Sequence, residues 1–470
     1  MQLQSKRLTL FSVSLALFMD VLDTNIINTS IPMMAKSLQV SAIDLKIALI
    51  SYLLSLAIFI PTSGWAADRY GPKRIFIAAF GLFTVSSFFC GYAHHLYELI
   101  IARSIQGMGG AFMISLGRLI IVRTFKRHEL VDAMNTVIIV VSVAAMIGPF
   151  IGGFITEHWS WPWIFWVNIP VGIIAMGLTY LNLQDNHPRR PRPFDLLGFI
   201  LFGGSLSLLC FSLSELSESH ANLFLTRLFV LISLAMLVIY ILHAKKIVHP
   251  VINIKLFKIR TFRISVLGNL CARLGFGGMP FLLPLLQQIG LGFSPQLSGL
   301  LLAPIAFGVI ISKLFSSVFL RRFGYRKYLM INTSIVACIL WAFTFIQANT
   351  SILTIIFLTF ALGISLAAQY TGMNSLAFSD IDEEQLSAST SITSTTQILG
   401  QSLGVAAAAI LLRFFSTIAN QTTVLTPHHF HQTFIALGIL TILSSLIFMG
   451  LKPSDGNQML LRKLDNSGTP

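Results

Sequence analysis

Charge is what this chain has least of. Only 11% of its 470 residues are charged, against about 25% in soluble domains. No stretch between its apolar runs is long enough to hold a soluble domain. Cysteine is equally sparse: Cys90, Cys210, Cys271 and Cys338 all lie within apolar runs, which argues against a disulfide framework and for small buried hydrophobes. No G-x-x-x-x-G-K-S/T loop occurs, so ATP is not the expected energy source. The histidine-dense PHHFH (427–431) has no cysteine or acid beside it and reads as a solvated outer loop, so no metal site is expected. No clustered nucleophile or metal set lies within the apolar runs, which excludes a membrane-embedded enzyme. The opening run is too long and too polar at its centre for a cleavable signal, and no A-x-A site follows it.

What the chain has in abundance is apolar sequence, 55% of all residues. Runs of 18 or more residues, each able to cross a bilayer as a helix, fall at roughly 8–30, 45–66, 74–93, 97–121, 131–156, 163–183, 196–214, 222–243, 262–289, 295–319, 328–347, 351–372, 387–412 and 432–451. The expected fold class is all-α, a polytopic membrane protein with 14 transmembrane helices.

The net charge of +14 could suggest nucleic acid, but its distribution points to lipid instead. With the N-terminus placed in the cytoplasm and the loops alternating, 24 of the 32 Lys and Arg fall on the cytoplasmic side, among them Lys6, Arg69, Lys73, Arg127, Arg189, Arg190, Arg192, Arg322, Arg462 and Lys463. Three fall outside and five within spans: Arg103, Arg118, Arg227, Arg273 and Lys313. This positive-inside asymmetry places both termini in the cytoplasm and requires an even number of spans. The loop 379–386, with Asp380, Asp382, Glu383 and Glu384 and no base, is an exception that charge placement does not explain.

Two acids stand near the middle of the first run, Asp20 and Asp23. An ionised Asp at the bilayer centre costs about 2.5–3.5 kcal/mol on insertion scales, and such residues as a rule serve ion or proton handling in a water-accessible space between helices. Asp20, Asp23, Thr24 and Asn28 share one helical face. That polar stripe must point at protein or water rather than lipid. Two such close carboxylates repel, so one proton can be shared between them.

The chain also repeats itself. GWAADRYGPKR (64–74) joins the second and third spans, and SVFLRRFGYRK (317–327) joins the tenth and eleventh; Gly71 aligns with Gly324, and Arg69 with Arg322. Two six-helix halves separated by an inserted helix pair account for that offset: residues 1–190, an inserted pair in 191–250, and 251–470 with a short tail. Transporters are commonly built from such repeats, with the substrate site at the interface between them.

LDTNIINTSIP (22–32), GWAADRYGPKR, RSIQGMGGAF (103–112), GPFIGG (148–153) and SWPWIFWVNIPVG (160–172) occur in that order on successive spans. In these segments the chain resembles the major facilitator superfamily, and within it the 14-helix drug:proton antiporter branch. The matches cover the N-terminal half closely, while the C-terminal half rests on the repeated turn and the span count. The resemblance implies a proton carrier at Asp23, an Arg at 103 that acts as a switch on it, and close helix packing at Gln106, Gly107, Gly109, Gly110 and Ala111. It implies antiport from Gly148, Pro149, Gly152 and Gly153, with a bent fifth helix. It implies a charge latch in Gly64, Asp68, Arg69, Gly71 and Lys73 that moves with alternating access. Two positions depart from the pattern: Ala144 where a Gly is usual, and Ala66 where a Leu is common.

The candidate substrate-binding residues are Arg118, Arg273, Lys313, Asn28 and Asn269. Arg273 lies in NLCARLGFGGMP, a Gly-rich stretch that suggests a distorted helix. Gln287, Gln288 and Asn374 are expected to bond between helices. The function implied is proton-coupled export of small amphipathic or toxic compounds, without cofactor, by a monomer in a bacterial inner membrane. Its partners are the substrate, protons and the lipid bilayer. The surplus of intramembrane cations over Asp20 and Asp23 instead suits an organic anion, such as a carboxylate metabolite, a siderophore or a metal chelate. Proton-coupled uptake is a further alternative. A receptor built on the same fold would need a soluble signalling domain, for which there is no room.

Overall fold

The computed structural model describes residues 2–126, 129–183, 193–216, 222–382, 385–420 and 425–456. Among them there is no strand. The principal helices are α1 (Gln2–Ile26), α2 (Lys46–Phe59), α3 (Pro72–Tyr92), α4 (Leu96–Thr124), α5 (Leu130–His158), α6 (Asn168–Asn182), α7 (Leu196–Glu215), α8 (Leu223–Lys246), α9 (Arg260–Phe276), α10 (Met279–Leu285), α11 (Pro295–Ala342), α12 (Ile352–Ala377), α13 (Leu386–Asn420) and α14 (Pro427–Phe448). The bases Arg127, Arg189, Arg190, Arg192, Arg462 and Lys463, and the acids Glu383 and Glu384, lie outside the described residues.

Thirteen helical stretches among the described residues are long and apolar enough to cross a membrane. One of them, α11, has 48 residues; at 1.5 Å per residue that is about 72 Å, more than twice the roughly 30 Å of a bilayer core. It is broken at Gly324, whose backbone lies at φ 70°, ψ 162°. Two spans therefore run through it, and the sequence count of fourteen is approximated. Gly71, its partner in the repeat, lies at φ 90°, ψ 138° between Ser63–Tyr70 and α3. Both conformations belong to a region open in practice only to glycine. The repeated basic turn is thus a repeated backbone break.

The Gly-rich stretch after Arg273 also interrupts its span. α9 stops at Phe276, α10 starts at Met279, and a π-turn covers Leu286–Gly290. The fifth span behaves differently: Pro149 sits inside an uninterrupted α5.

The chain folds as two compact units, residues 1–237 with 283–303, and residues 238–282 with 304–470. In the first, α1 packs against α4, α5 and α6, α4 against α2 and α3, and α7 against α2. In the second, α9 is central and packs on α12, α13 and α14. Large apolar side chains left outside, such as Leu231, Leu234 and Val238 on α8 and Leu314, Phe315 and Val318 on α11, suit a lipid solvent, where outward apolar surface carries no penalty.

Candidate functional site

The polar stripe of α1 turns into the first unit and ends in a buried network. Asp23 is fully buried and Arg103, on α4, nearly so. Arg103 Nη1 donates to Asp23 Oδ2. Asp23 Oδ1 accepts from Gln106 Nε2 and from Asn168 Nδ2, both at 2.9 Å. Gln106 is the hub of the network: its Oε1 accepts from Arg103 Nη1 at 2.6 Å, and its Nε2 also donates to Ser87 Oγ at 2.8 Å. Three helices, α1, α4 and α6, thereby meet on one carboxylate, and α3 joins the network through Ser87. A buried ion pair persists only when further hydrogen bonds satisfy its remaining lone pairs and protons, and here Gln106 and Asn168 do so. Arg103 Nε and Asn168 Oδ1 nevertheless have no hydrogen-bond partner.

A second layer lies one turn away. Asp20 Oδ1 accepts a short bond from the hydroxyl of Tyr52 on α2. The Arg103 guanidinium stacks over the same Tyr52 ring, 4.1 Å from its centroid, and faces Phe165 at 5.6 Å on its flank. Arg103 therefore touches Asp23 by charge and Tyr52 by a cation–π contact. It does not snorkel. Tyr52 and Asn168 were missed in the sequence, and Gln106 was assigned only to close packing. Their signal was present, a lone phenol in an otherwise apolar span and an amide inside WVNIPVG, but nothing in one dimension joins them to α1.

The motif glycines make room for these contacts. A Cβ on Gly107 would lie 2.5 Å from the Tyr52 carbonyl oxygen, and one on Gly110 would lie 2.9 Å from Tyr52 Oη and 3.1 Å from Asp20 Oδ1. On α5, a Cβ at Gly148 would reach within 2.9 Å of Asn25 Cβ, one at Gly152 within 2.2 Å of the Ile26 carbonyl oxygen, and one at Gly153 within 2.2 Å of the Pro295 carbonyl oxygen. Thr29 Oγ1 donates to the Pro149 carbonyl at 3.2 Å. Gly148 and Gly152 thus let α5 approach the end of α1, and Gly153 lets it approach Pro295. Asn28 is buried and donates to the Thr24 carbonyl at 3.1 Å, back onto the last turn of α1.

At the turn, Asp68 pairs with Arg123 of α4 at 3.2 Å, both partly exposed. Arg69 lies over Trp65 and Tyr70, and Lys73 over Tyr180. Gly64 faces open space. The latch residues thus fasten this turn to α4 and α6 by contacts on the surface, where each is worth little.

The second unit holds a different arrangement. Arg273 of α9 is buried; its Nε donates to Asn269 Oδ1 at 2.7 Å, and its guanidinium stacks on Tyr370 of α12 at 4.2 Å. Gly400 of α13 gives it space, since a Cβ there would fall 2.9 Å from Arg273 Cδ. No described acid lies within ion-pair distance of Arg273. Lys313 is exposed on α11. Arg118 is exposed on α4, yet near enough for its charge to act on Asp20. Of the three cations, Arg273 is the one that is buried, with a neutral amide and an aromatic face around it.

Several lesser expectations resolve. Gln288 donates to the Thr29 carbonyl at 2.8 Å, Gln287 accepts from Ser298 at 2.7 Å, and Asn374 accepts from Gln397; all are structural bonds. PHHFH is not a loop. It forms the first turn of α14, where His429 closes a capping box with Thr426 and His431 bonds the Ile346 carbonyl at 2.8 Å. No group of three His, Cys, Asp or Glu able to hold a metal occurs among the described residues. The acidic loop also gains an account: Asp380 accepts from Thr261 Oγ1 in the first turn of α9 at 2.7 Å, where a negative charge favours the helix dipole.

The model of the Major Facilitator Superfamily matches residues 13–405 and 265–460. The chain is 36% identical over 463 residues to a protein of Pectobacterium atrosepticum provisionally named multidrug resistance protein MdtD, covering 98% of each. It is 34% identical to proteins given the same name in Klebsiella pneumoniae, over 99% of each chain, and in Escherichia coli, over 97% of this chain. Among solved structures it is similar in fold to the peptide transporter PepTSo (TM-score 0.70, 13% identity, 99% of each chain) and to a D-xylose-proton symporter (TM-score 0.67, 13% identity, 95% of this chain and 98% of that one). The protein is a multi-pass inner-membrane transporter, not an enzyme, and the chain belongs to the major facilitator superfamily.

Proposed function

We propose that the protein exports small amphipathic or toxic compounds in exchange for protons, with both termini in the cytoplasm, as a monomer and without a cofactor. The observation that carries this reading is the buried cluster of Asp20, Asp23 and Arg103 on α1 and α4. Two carboxylates and one guanidinium inside a membrane helix bundle are costly, and proton movement is the function that explains their presence. Transport follows as the cluster is exposed alternately to the two sides of the membrane, binding a proton on one and losing it on the other. The multidrug-resistance name of the relatives supports the substrate class.

A second reading is favoured by one specific feature. Arg273 is a buried cation with no acid beside it, and such a charge is stabilised by an anionic ligand. That suits a carboxylate-bearing substrate, alone or as a metal chelate, read by Arg273 with Asn269.

Purified protein in proteoliposomes with an imposed pH gradient tests both readings. Cationic dyes and small polycarboxylates are offered side by side, with the double variant Asp20→Asn/Asp23→Asn as control. Gradient-dependent flux of dyes, lost in the double variant, is expected. Flux of polycarboxylates alone, abolished by Arg273→Ala, would select the second reading. Flux indifferent to the gradient and to the double variant would remove proton antiport altogether.

A further inference from the structure

Asp20 and Asp23 are one turn apart on α1, but their surroundings differ in kind. Asp23 receives three donors, from Arg103, Gln106 and Asn168, and exposes no surface. Adding a proton to it would strand Arg103 as a buried cation whose Nε already lacks a partner. Asp20 receives one donor, the Tyr52 hydroxyl, on Oδ1, and retains 7% of its surface. Its Oδ2 has no protein donor among the described residues and is not among the enclosed, unpartnered atoms. Among the described residues, the charged and titratable groups acting on Asp20 are Asp23 on its own helix, Tyr52 on α2, and Arg103 and Arg118 on α4; α5, α6 and the short helix Trp163–Trp166, which also pack on α1, contribute none.

We propose that Asp20, rather than the motif residue Asp23, loads and releases the transported proton, and that Tyr52 passes its protonation state to Arg103. This rests on the proton-antiport reading above. Protonation forms an O–H bond on Oδ2 of Asp20 and takes the cluster of Asp20, Asp23 and Arg103 from net −1 to neutral, one proton per cycle. The Tyr52 bond to Oδ1 then changes from charge-assisted to neutral, about half as strong. The phenol is released, and the ring under the Arg103 guanidinium is free to move. Asp23 stays ionised as the fixed counter-ion that keeps Arg103 in place. Gly110 serves this contact, because any side chain there would part Tyr52 from Asp20. Reversal returns the proton to water and restores the bond. In the charged state the cluster attracts a cationic substrate, so proton and substrate compete for one site.

The test uses the full-length protein purified in detergent, with a cationic dye that the wild type transports in proteoliposomes, and reads protons released on dye binding with a pH indicator in weak buffer. Asp20→Asn is expected to bring release down to the buffer background, and Asp20→Glu to restore it. Asp23→Asn takes one negative charge from the cluster and weakens dye binding, but at saturating dye it is expected still to release protons. Tyr52→Phe removes the donor that favours the carboxylate, so its release profile is expected to move about one pH unit to the alkaline side. Asp20→Asn protein that releases protons as the wild type does, or a Tyr52→Phe profile that stays in place, overturns the proposal. Asp23→Asn alone abolishing release while Asp20→Asn preserves it returns the carrier role to Asp23. Should the wild type show neither proton release nor gradient-driven flux, the antiport reading itself fails, and this assignment with it.

Discussion

Replacing Arg103 with Met removes the one cation held against Asp23. The carboxylate left behind is fully buried, with Gln106 and Asn168 as its remaining donors, and Gln106 Oε1 keeps only the weak thiol donor of Cys90 at 3.5 Å. Breaking a buried pair from one side costs about 3–5 kcal/mol, because the surviving charge has no compensation. Asp23→Leu strands the guanidinium in the same way and is expected to cost a similar amount. Removing both groups leaves no stranded charge, and apolar replacements of similar volume are often nearly neutral. The double variant Arg103→Met/Asp23→Leu is therefore expected to be more stable than either single one, with a coupling energy of at least about 3 kcal/mol. Unfolding of purified protein in detergent, titrated with SDS and followed by tryptophan fluorescence, measures all four corners of the cycle. Single-variant losses that simply add in the double would refute the reasoning and mean that the two groups are solvated independently.

The glycines separate by what surrounds them. Gly152→Val is expected to disrupt α1–α5 packing and lower the yield of folded protein sharply, whereas Gly64→Ala, with no atom within 4 Å, is expected to leave thermal stability unchanged or raised by up to about 1 kcal/mol. Gly71→Ala and Gly324→Ala each force an alanine to positive φ and should each cost about 1–3 kcal/mol, read as a lower unfolding midpoint. Breaking the half-exposed Asp68–Arg123 pair with Asp68→Asn should change stability by no more than about 1 kcal/mol; a larger loss in thermal unfolding would show that the turn is held by more than that pair. Arg273→Ala is expected to abolish transport of polycarboxylates in proteoliposomes if they are substrates, while a folded variant with undiminished anion flux would exclude Arg273 as the anion contact.

Much of the architecture was readable because the bilayer constrains it severely. Length and apolarity marked the spans, and the Gly71–Gly324 alignment marked the repeat, since only glycine takes that backbone conformation. Asp23 and Arg103 stood out because ions inside apolar runs need a reason. What failed to show was partnership. PHHFH looked like a loop because histidine is polar, yet His429 and His431 bond backbone at the start of α14. GPFIGG shows its proline in the sequence but not its neighbours: α5 continues through Pro149, and its glycines let it approach α1. Asp380 in the acidic loop 379–386 bonds Thr261 at the first turn of α9, a partner 119 residues away along the chain.

The sequence by itself determined that this chain lives in a membrane, which residues cross it, and that two carboxylates on α1 must turn away from lipid. Those properties follow from local composition and from the cost of putting charge in hydrocarbon. Only the tertiary structure decided which carboxylate is locked and which retains access. That distinction depends on donors from three other helices, the Tyr52 hydroxyl, the Arg103 guanidinium with the Gln106 amide, and the Asn168 amide, which lie up to 145 residues from Asp23 along the chain. Hydrogen bonds are set by separation in space, and no periodicity along a single helix encodes them.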